Sequence, residues 1–186
     1  MKTLLLLLFI GITGISNAQN VNIPDANFKA YLVGEPTINT NGDAEIQVSE
    51  AMAFNGQMDG YGLNISDLTG IEAFTALTYL NCYDNQLTSL DLTQNTALTY
   101  LFCFSNQLTC LNLKNGNNIL MDGLYATNNP NLTCIEVDDV SWSTANWTVA
   151  LGHIDSQTSF STVCNSDCSV GINEADTSSL SIYPNP

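Results

Sequence analysis

Basic residues are almost missing. The 186-residue chain has three Lys, no Arg and one His against 18 Asp plus Glu, for a net charge of −15. A chain this acidic cannot neutralise phosphates, which makes nucleic acid and anionic membrane surfaces poor partners. The lone His153 leaves little room for histidine-based catalysis or a multi-histidine metal site. No apolar run approaches the roughly 18 to 20 residues that span a bilayer, so no transmembrane segment is expected. Nor is there a G-x-S-x-G nucleophile elbow to place a serine near His153 and Asp155. The adjacent acids Asp138 and Asp139 point different ways if extended, unlike the facing pair a glycosidase needs. Composition therefore argues against an enzyme. A hydrophobic content of 45% excludes a disordered acidic tail. Only 11% of residues are charged, while 23 are Asn and 19 are Thr, so much of the polar surface is uncharged amide and hydroxyl.

The first eighteen residues read as a secretory signal peptide. Lys2 is followed by an apolar run from Leu4 to Ile12 and a small-residue end at Ser16-Asn17-Ala18. Secretion gives the six cysteines a compartment in which disulfides persist. Cys82, Cys103, Cys110, Cys134, Cys164 and Cys168 have no spacing that suits zinc.

The centre of the chain repeats itself. Leu77, Leu80, Cys82, Asn85, Leu87, Leu90 and Leu92 recur 21 residues later as Leu98, Leu101, Cys103, Asn106, Leu108, Leu111 and Leu113. A looser third copy contains Leu124, Ala126, Asn129, Leu132, Ile135 and Val137, with extra residues around Pro130. Ile65, Leu68 and Ile71 match the second half of a copy. This is the pattern of a leucine-rich repeat. Leu80 and Cys82 lie two apart and point inward from one short strand. Asn85 and Asn106 turn the chain, with amides able to bond the backbone of neighbouring coils. Leu87, Leu90 and Leu92 return along the convex side. One coil cannot bury its own leucines, and about three must stack to do so. Cys82 and Cys103 are expected to be buried free thiols. Cys110 and Cys134 fall at similar places in adjacent copies, so a bond between them competes with one from Cys134 to Cys164.

At these residues the chain resembles secreted leucine-rich repeat proteins of Bacteroidetes type, with internalin-like short coils. Ile23 to Phe28 resemble the entry to that family's N-terminal cap, and Asp67 to Glu72 its first coil. Asn129 to Cys134 and Ser143 to Trp147 resemble its C-terminal closing segment. The resemblance implies a Cys134–Cys164 disulfide, with Cys110 and Cys168 left over. Ser181 to Pro186 look like the opening of a type IX secretion sorting domain, which stops here after its first motif. That likeness implies a C-terminally truncated fragment, with the type IX secretion machinery as a partner of the full-length protein.

One segment has ligand spacing. Asn39, Asn41, Asp43, Glu45, Gln47 and Glu50 fall at positions one, three, five, seven, nine and twelve of an EF-hand loop, a set of oxygens suited to Ca²⁺. Three departures weaken it. Position one is a neutral Asn39, and position six is Ala44, where a left-handed residue costs roughly 1–2 kcal/mol. Gly34 and Pro36 also interrupt the preceding helix. The bland alternative is a turn kept as a scaffold.

The expected fold is mainly β, a right-handed leucine-rich repeat solenoid with short parallel strands and a small N-terminal helical, EF-hand-like cap. Phe28, Tyr31 and Leu32 share one helix face. Residues 1–18 are the signal, 19–56 the cap, 57–137 the repeats, 138–168 the closing segment, and 169–186 a linker and the start of the sorting domain. The expected function is a secreted or outer-membrane surface binding module for a protein or glycan ligand. A calcium-dependent adhesion module and a repeat domain appended to a lost hydrolase are the alternatives. Residues flanking each inward pair point onto the concave face. They are Tyr79, Asn81 and Tyr83, then Tyr100, Phe102 and Phe104, then Gly123, Tyr125 and Thr127. Equivalent side chains should stand about 4.8 Å apart as ladders, with Tyr79 beside Tyr100, Phe102 beside Tyr125 and Tyr83 beside Phe104. Such aromatics form a docking surface or simply suit exposed strand positions.

Overall fold

Asp25 caps the first helix. Its Oδ1 accepts the N–H groups of Asn27 and Phe28, which opens α1 (Ala26–Gly34). Its Oδ2 accepts from the backbone and hydroxyl of Ser66, tying that helix to the first loop of the repeat region. This computed structural model describes residues 19–164 and 168; the signal-peptide, linker and sorting-domain readings lie outside them. α1 buries Phe28 and Leu32, leaves Tyr31 half-buried, and ends at Gly34 just before Pro36. A second helix, α2 (Val48–Ala53), begins where Glu50 Oε2 accepts the N–H of Gln47.

From there the chain passes repeatedly between two parallel sheets. One holds β1 (Gln57–Asp59), β2 (Tyr79–Asn81), β4 (Tyr100–Phe102) and β6 (Gly123–Tyr125) in that order. The other holds β3 (Ser89–Asp91), β5 (Cys110–Asn112), β7 (Cys134–Glu136) and β8 (Ser159–Ser161). The 21-residue period sets the register: Leu80 pairs with Leu101, and Leu90 with Leu111. The middle residue of each strand points inward. Met58, Leu80, Leu101 and Leu124 therefore face Leu90, Leu111 and Ile135 across one buried core. Leu87, Leu90 and Leu92 do more than close a coil along the convex side, because Leu90 is the centre of a strand in a second sheet. The first sheet also has a strand, β1, at the start of the 57–137 segment, where no leucine marks one.

Buried asparagines join the coils. Asn85 Oδ1 accepts from Leu63 and Ile65 N–H while its Nδ2 donates to the carbonyls of Gly60 and Cys82. Asn106 and Asn129 repeat the device, accepting from Leu87 and Leu108 and donating to Cys82, Cys103 and Ala126. Each satisfies polar backbone that would otherwise be orphaned in the core. Asp84, Ser105 and Asn128, the residues just before them, are left-handed at φ 54°, 54° and 60°. The side-chain bonds hold that strained corner in place.

Cys82 and Cys103 are buried free thiols. Burial pushes the Cys82 thiol up to about 12 and Cys103 well above its ordinary value, so neither is a nucleophile. Cys134 is bonded to Cys164, and the two leftover cysteines, Cys110 and Cys168, form a second disulfide. Both bonds brace the sheet that holds β5 and β7. Helix α3 (Val140–Asn146), capped by Asp139, packs beyond it, with Trp147 edge-on to Trp142 and close to Phe160. Among the described residues no helix is long and apolar enough to cross a membrane.

Candidate functional site

Three rows of outward side chains cross the sheet β1-β2-β4-β6. Parallel pairing places like positions side by side, so each row is a line of register partners. The first row runs Gln57, Tyr79, Tyr100 and Gly123; the second runs Asp59, Asn81, Phe102 and Tyr125. The third continues past the strand ends as Tyr61, Tyr83 and Phe104, kept in step by Gly62 N–H donating to Tyr83 O and Asp84 N–H to Phe104 O.

The expected ladders form, with rings arranged in two ways. In the third row the rings stack face to face. Tyr61 and Tyr83 are 5.1 Å apart at 5°, and Tyr83 and Phe104 are 4.5 Å apart at 6°. Phe102 stacks on Tyr125 at 4.8 Å and 10°. Tyr79 is tilted, 6.2 Å from Tyr100 but nearer Phe102 at 5.4 Å. His153 closes the second row, edge-on to Tyr125 at 5.7 Å, with its Nδ1 accepting the N–H of Thr148. Asp155 does not face it in a catalytic pair; its carboxylate accepts the N–H groups of Asn128 and Asn129.

Two residues expected on the open face are covered. Asn81 is buried, because its Nδ2 turns to donate to Asp59 Oδ1 at 2.7 Å. Gly123 is buried because aromatic rings crowd it: a Cβ there would lie 2.8 Å from Tyr100 Cδ1 and 3.1 Å from Tyr125 Cε2. Only a residue without a side chain fits under those two rings.

The face is anionic. Asp59 is exposed, its N–H donates to the hydroxyl of Tyr31, and no cation among the described residues is paired with it. The two described lysines are engaged elsewhere, Lys29 with Glu45 at 2.7 Å and Lys114 with the carbonyl of Thr162. Burial and then the charge of Asp59 raise the Tyr79 hydroxyl above its usual value. Asp59 and Tyr61 carried no sequence signal as site residues because β1 has a single apolar residue, Met58.

The EF-hand-register segment comes together as a hollow lined by Thr40, Asn41, Asp43, Gln47 and Glu50. Its oxygens already serve as acceptors. Glu50 Oε1 takes the N–H of Thr40 and Asn41 and the Thr40 hydroxyl. Asp43 Oδ2 accepts from the side-chain amides of Asn41 and Gln47, and its Oδ1 from Glu45 N–H. Asn39 Oδ1 accepts from Gly42 N–H, and the Glu45 carboxylate pairs with Lys29. Burial alone would raise the Glu50 carboxyl, but the bonds from Gln47, Thr40 and Asn41 outweigh it and hold the group below its ordinary value. The left-handed residue is Gly42, at φ 72°, and not Ala44, so the strain expected at position six is absent. No group of three or more His, Cys, Asp or Glu is placed to hold a metal among the described residues.

No protein-family model matches the chain, and no curated protein matches it. Solved structures do. An internalin, InlF, of Listeria monocytogenes is similar at 19% identity and a TM-score of 0.47, over 66% of this chain and 40% of its own. The functional domain of InlJ from Listeria monocytogenes, which includes a cysteine ladder, is similar at 22% identity and a TM-score of 0.39, over 64% and 39%. The CBM51-2 and INT domains of Clostridium perfringens ZmpB are similar at 23% identity and a TM-score of 0.35, over 54% and 21%. The chain thus spans about two fifths of the two Listeria chains and about a fifth of the third.

Proposed function

We propose that this chain is a secreted or cell-surface binding module, not an enzyme. In this reading it is a right-handed leucine-rich repeat solenoid capped at its N-terminus by α1 and α2. A protein or glycan ligand docks on the aromatic rows of the sheet β1-β2-β4-β6. The observation that carries the reading is the unbroken line of half-exposed rings from Tyr61 to Phe104 and from Tyr79 to Tyr125. Such rings supply contact area at low entropic cost and are frequent binding anchors. Their stacking favours a polypeptide over a glycan. A sugar lies flat on a free ring face, and here the rings of three stacked pairs are turned onto each other. A polypeptide can pack against ring edges and the hydroxyls of Tyr83 and Tyr100.

The test is to replace Phe102 and Tyr125 together by serine and measure adhesion to a panel of matrix proteins and neutral glycans. Binding should be lost from a variant that still folds. Unchanged binding to a ligand that the parent protein recognises would remove the docking face.

Calcium-dependent adhesion is the second reading, supported by the open hollow at Thr40, Asp43 and Glu50. It requires Asn41 and Gln47 to exchange their amide bonds to Asp43 for an ion. Calorimetry at millimolar Ca²⁺ tests it, and absence of both heat and thermal shift would leave the segment a scaffold.

A further inference from the structure

We propose that the β1 end of the aromatic rows is a seat for one basic side chain, Lys or Arg, of a polypeptide partner. This rests on the docking face proposed above and says where its charge contact lies. The argument starts from ring faces. The face of an aromatic ring is its electronegative side, and cations bind there. Inside the rows Tyr83 is stacked on both sides and Phe102 lies between Tyr79 and Tyr125, while Phe104, at the far end of its row, meets a ring on one side only. At the β6 end Tyr125 is covered by His153.

Faces are free at β1. Tyr61 ends its row, touches a ring on one side only, and is 50% exposed. Tyr79 meets rings of β4 but faces Gln57 on its other side, where no ring stands. Between these two positions lies Asp59. Its Oδ1 is fixed by the Asn81 amide and its backbone by the Tyr31 hydroxyl, while Oδ2 has no hydrogen-bond partner among the described residues. An oriented carboxylate flanked by two aromatic side chains with free faces is the chemistry that recognises an ammonium or guanidinium. Charge complementarity points the same way: the chain carries −15, and neither described lysine reaches this face. A neutral partner would leave Asp59 facing apolar surface without compensation.

The seat is tested by two-dimensional NMR of the full chain titrated with blocked tripeptides Gly-Lys-Gly, Gly-Arg-Gly and Gly-norleucine-Gly, and with a neutral methyl hexoside. The Lys and Arg peptides should cause saturable shifts at the amides of Asp59, Gly60, Tyr61 and Tyr79, in the millimolar range expected of one exposed contact. The norleucine peptide should not. Asp59→Asn, which keeps the oxygen that accepts from Asn81, should weaken the effect about fivefold to tenfold. Asp91→Asn, with the same change in net charge on the other sheet, should leave it intact. Equal weakening by both variants, equal shifts with norleucine, or no saturable shift would overturn the seat. Shifts centred on Phe102 and Tyr125 that ignore Asp59, or that answer only to the hexoside, would overturn it while leaving the docking face in place. Failure of the face itself is read separately, from a matrix ligand that still binds the Phe102→Ser, Tyr125→Ser variant.

Discussion

The two sheets share one backbone plan and one repeat but differ in what they show to solvent. Both are four-stranded and parallel, and both place a Leu, Ile, Met or Phe at the centre of each strand. On β3-β5-β7-β8 the flanking positions are Ser89, Asp91, Asn112, Glu136, Ser159 and Ser161, together with the cystines. On β1-β2-β4-β6 half of them are Tyr or Phe. A parallel sheet in this chain therefore forms without outward aromatics. The central residues hold the fold, and the rings of the first sheet are additional to it. The second sheet is instead braced by covalent bonds, at Cys110–Cys168 and Cys134–Cys164.

That contrast can be broken first at the shared core. Leu101→Ala or Leu111→Ala empties a fully buried site and should cost about 2–5 kcal/mol, measured by chemical denaturation. Because the two sheets enclose one core, the loss should be similar whichever sheet is hit. Asn106→Ala comes next. It strips the N–H of Leu87 of its partner, at about 1–3 kcal/mol for a group left dry, and leaves the carbonyls of Cys82 and Cys103 with one amide donor each, from Asn85 and Asn129.

Cys164→Ser sharpens the difference between the sheets. Opening a bond of sequence separation 30 should cost about 3 kcal/mol. Hydrogen exchange should accelerate at β7 and β8 while β2 and β4 stay protected. Glu50→Gln acts on neither sheet. Its folded carboxyl titrates below its ordinary 4.5, so it stabilises the protein above that pH, and the contribution is lost as pH falls through the lowered folded value. The parent protein should lose melting temperature on acidification more steeply than the variant, which starts lower at pH 7.

What was legible in advance follows the same division. The inward leucines, the register of Leu80 with Leu101 and the pairing of rings were readable because a 21-residue period leaves like residues side by side. β1 is not readable as a strand, since Gln57–Asp59 has only Met58 to mark it and Gly56 and Gly60 flank it. The second sheet was hidden in a leucine run that reads equally well as an irregular return. Asn81 looked like a ligand contact, but the partner that buries it, Asp59, belongs to the unrecognised strand. Sequence spacing does not pair Cys110 with Cys168, because only the fold brings two such distant positions together.

The central claim is that the rings serve docking and not folding, and the thermal melt of Phe102→Ser, Tyr125→Ser beside Leu101→Ala tests it most directly. One stacked pair of half-exposed rings should be worth about 1–2 kcal/mol, which lowers the melting temperature by about 2–8 °C for a chain of this size. The predicted result is a fall less than half that of Leu101→Ala. A fall as large as that of Leu101→Ala would make the aromatic rows part of the scaffold and contradict the account.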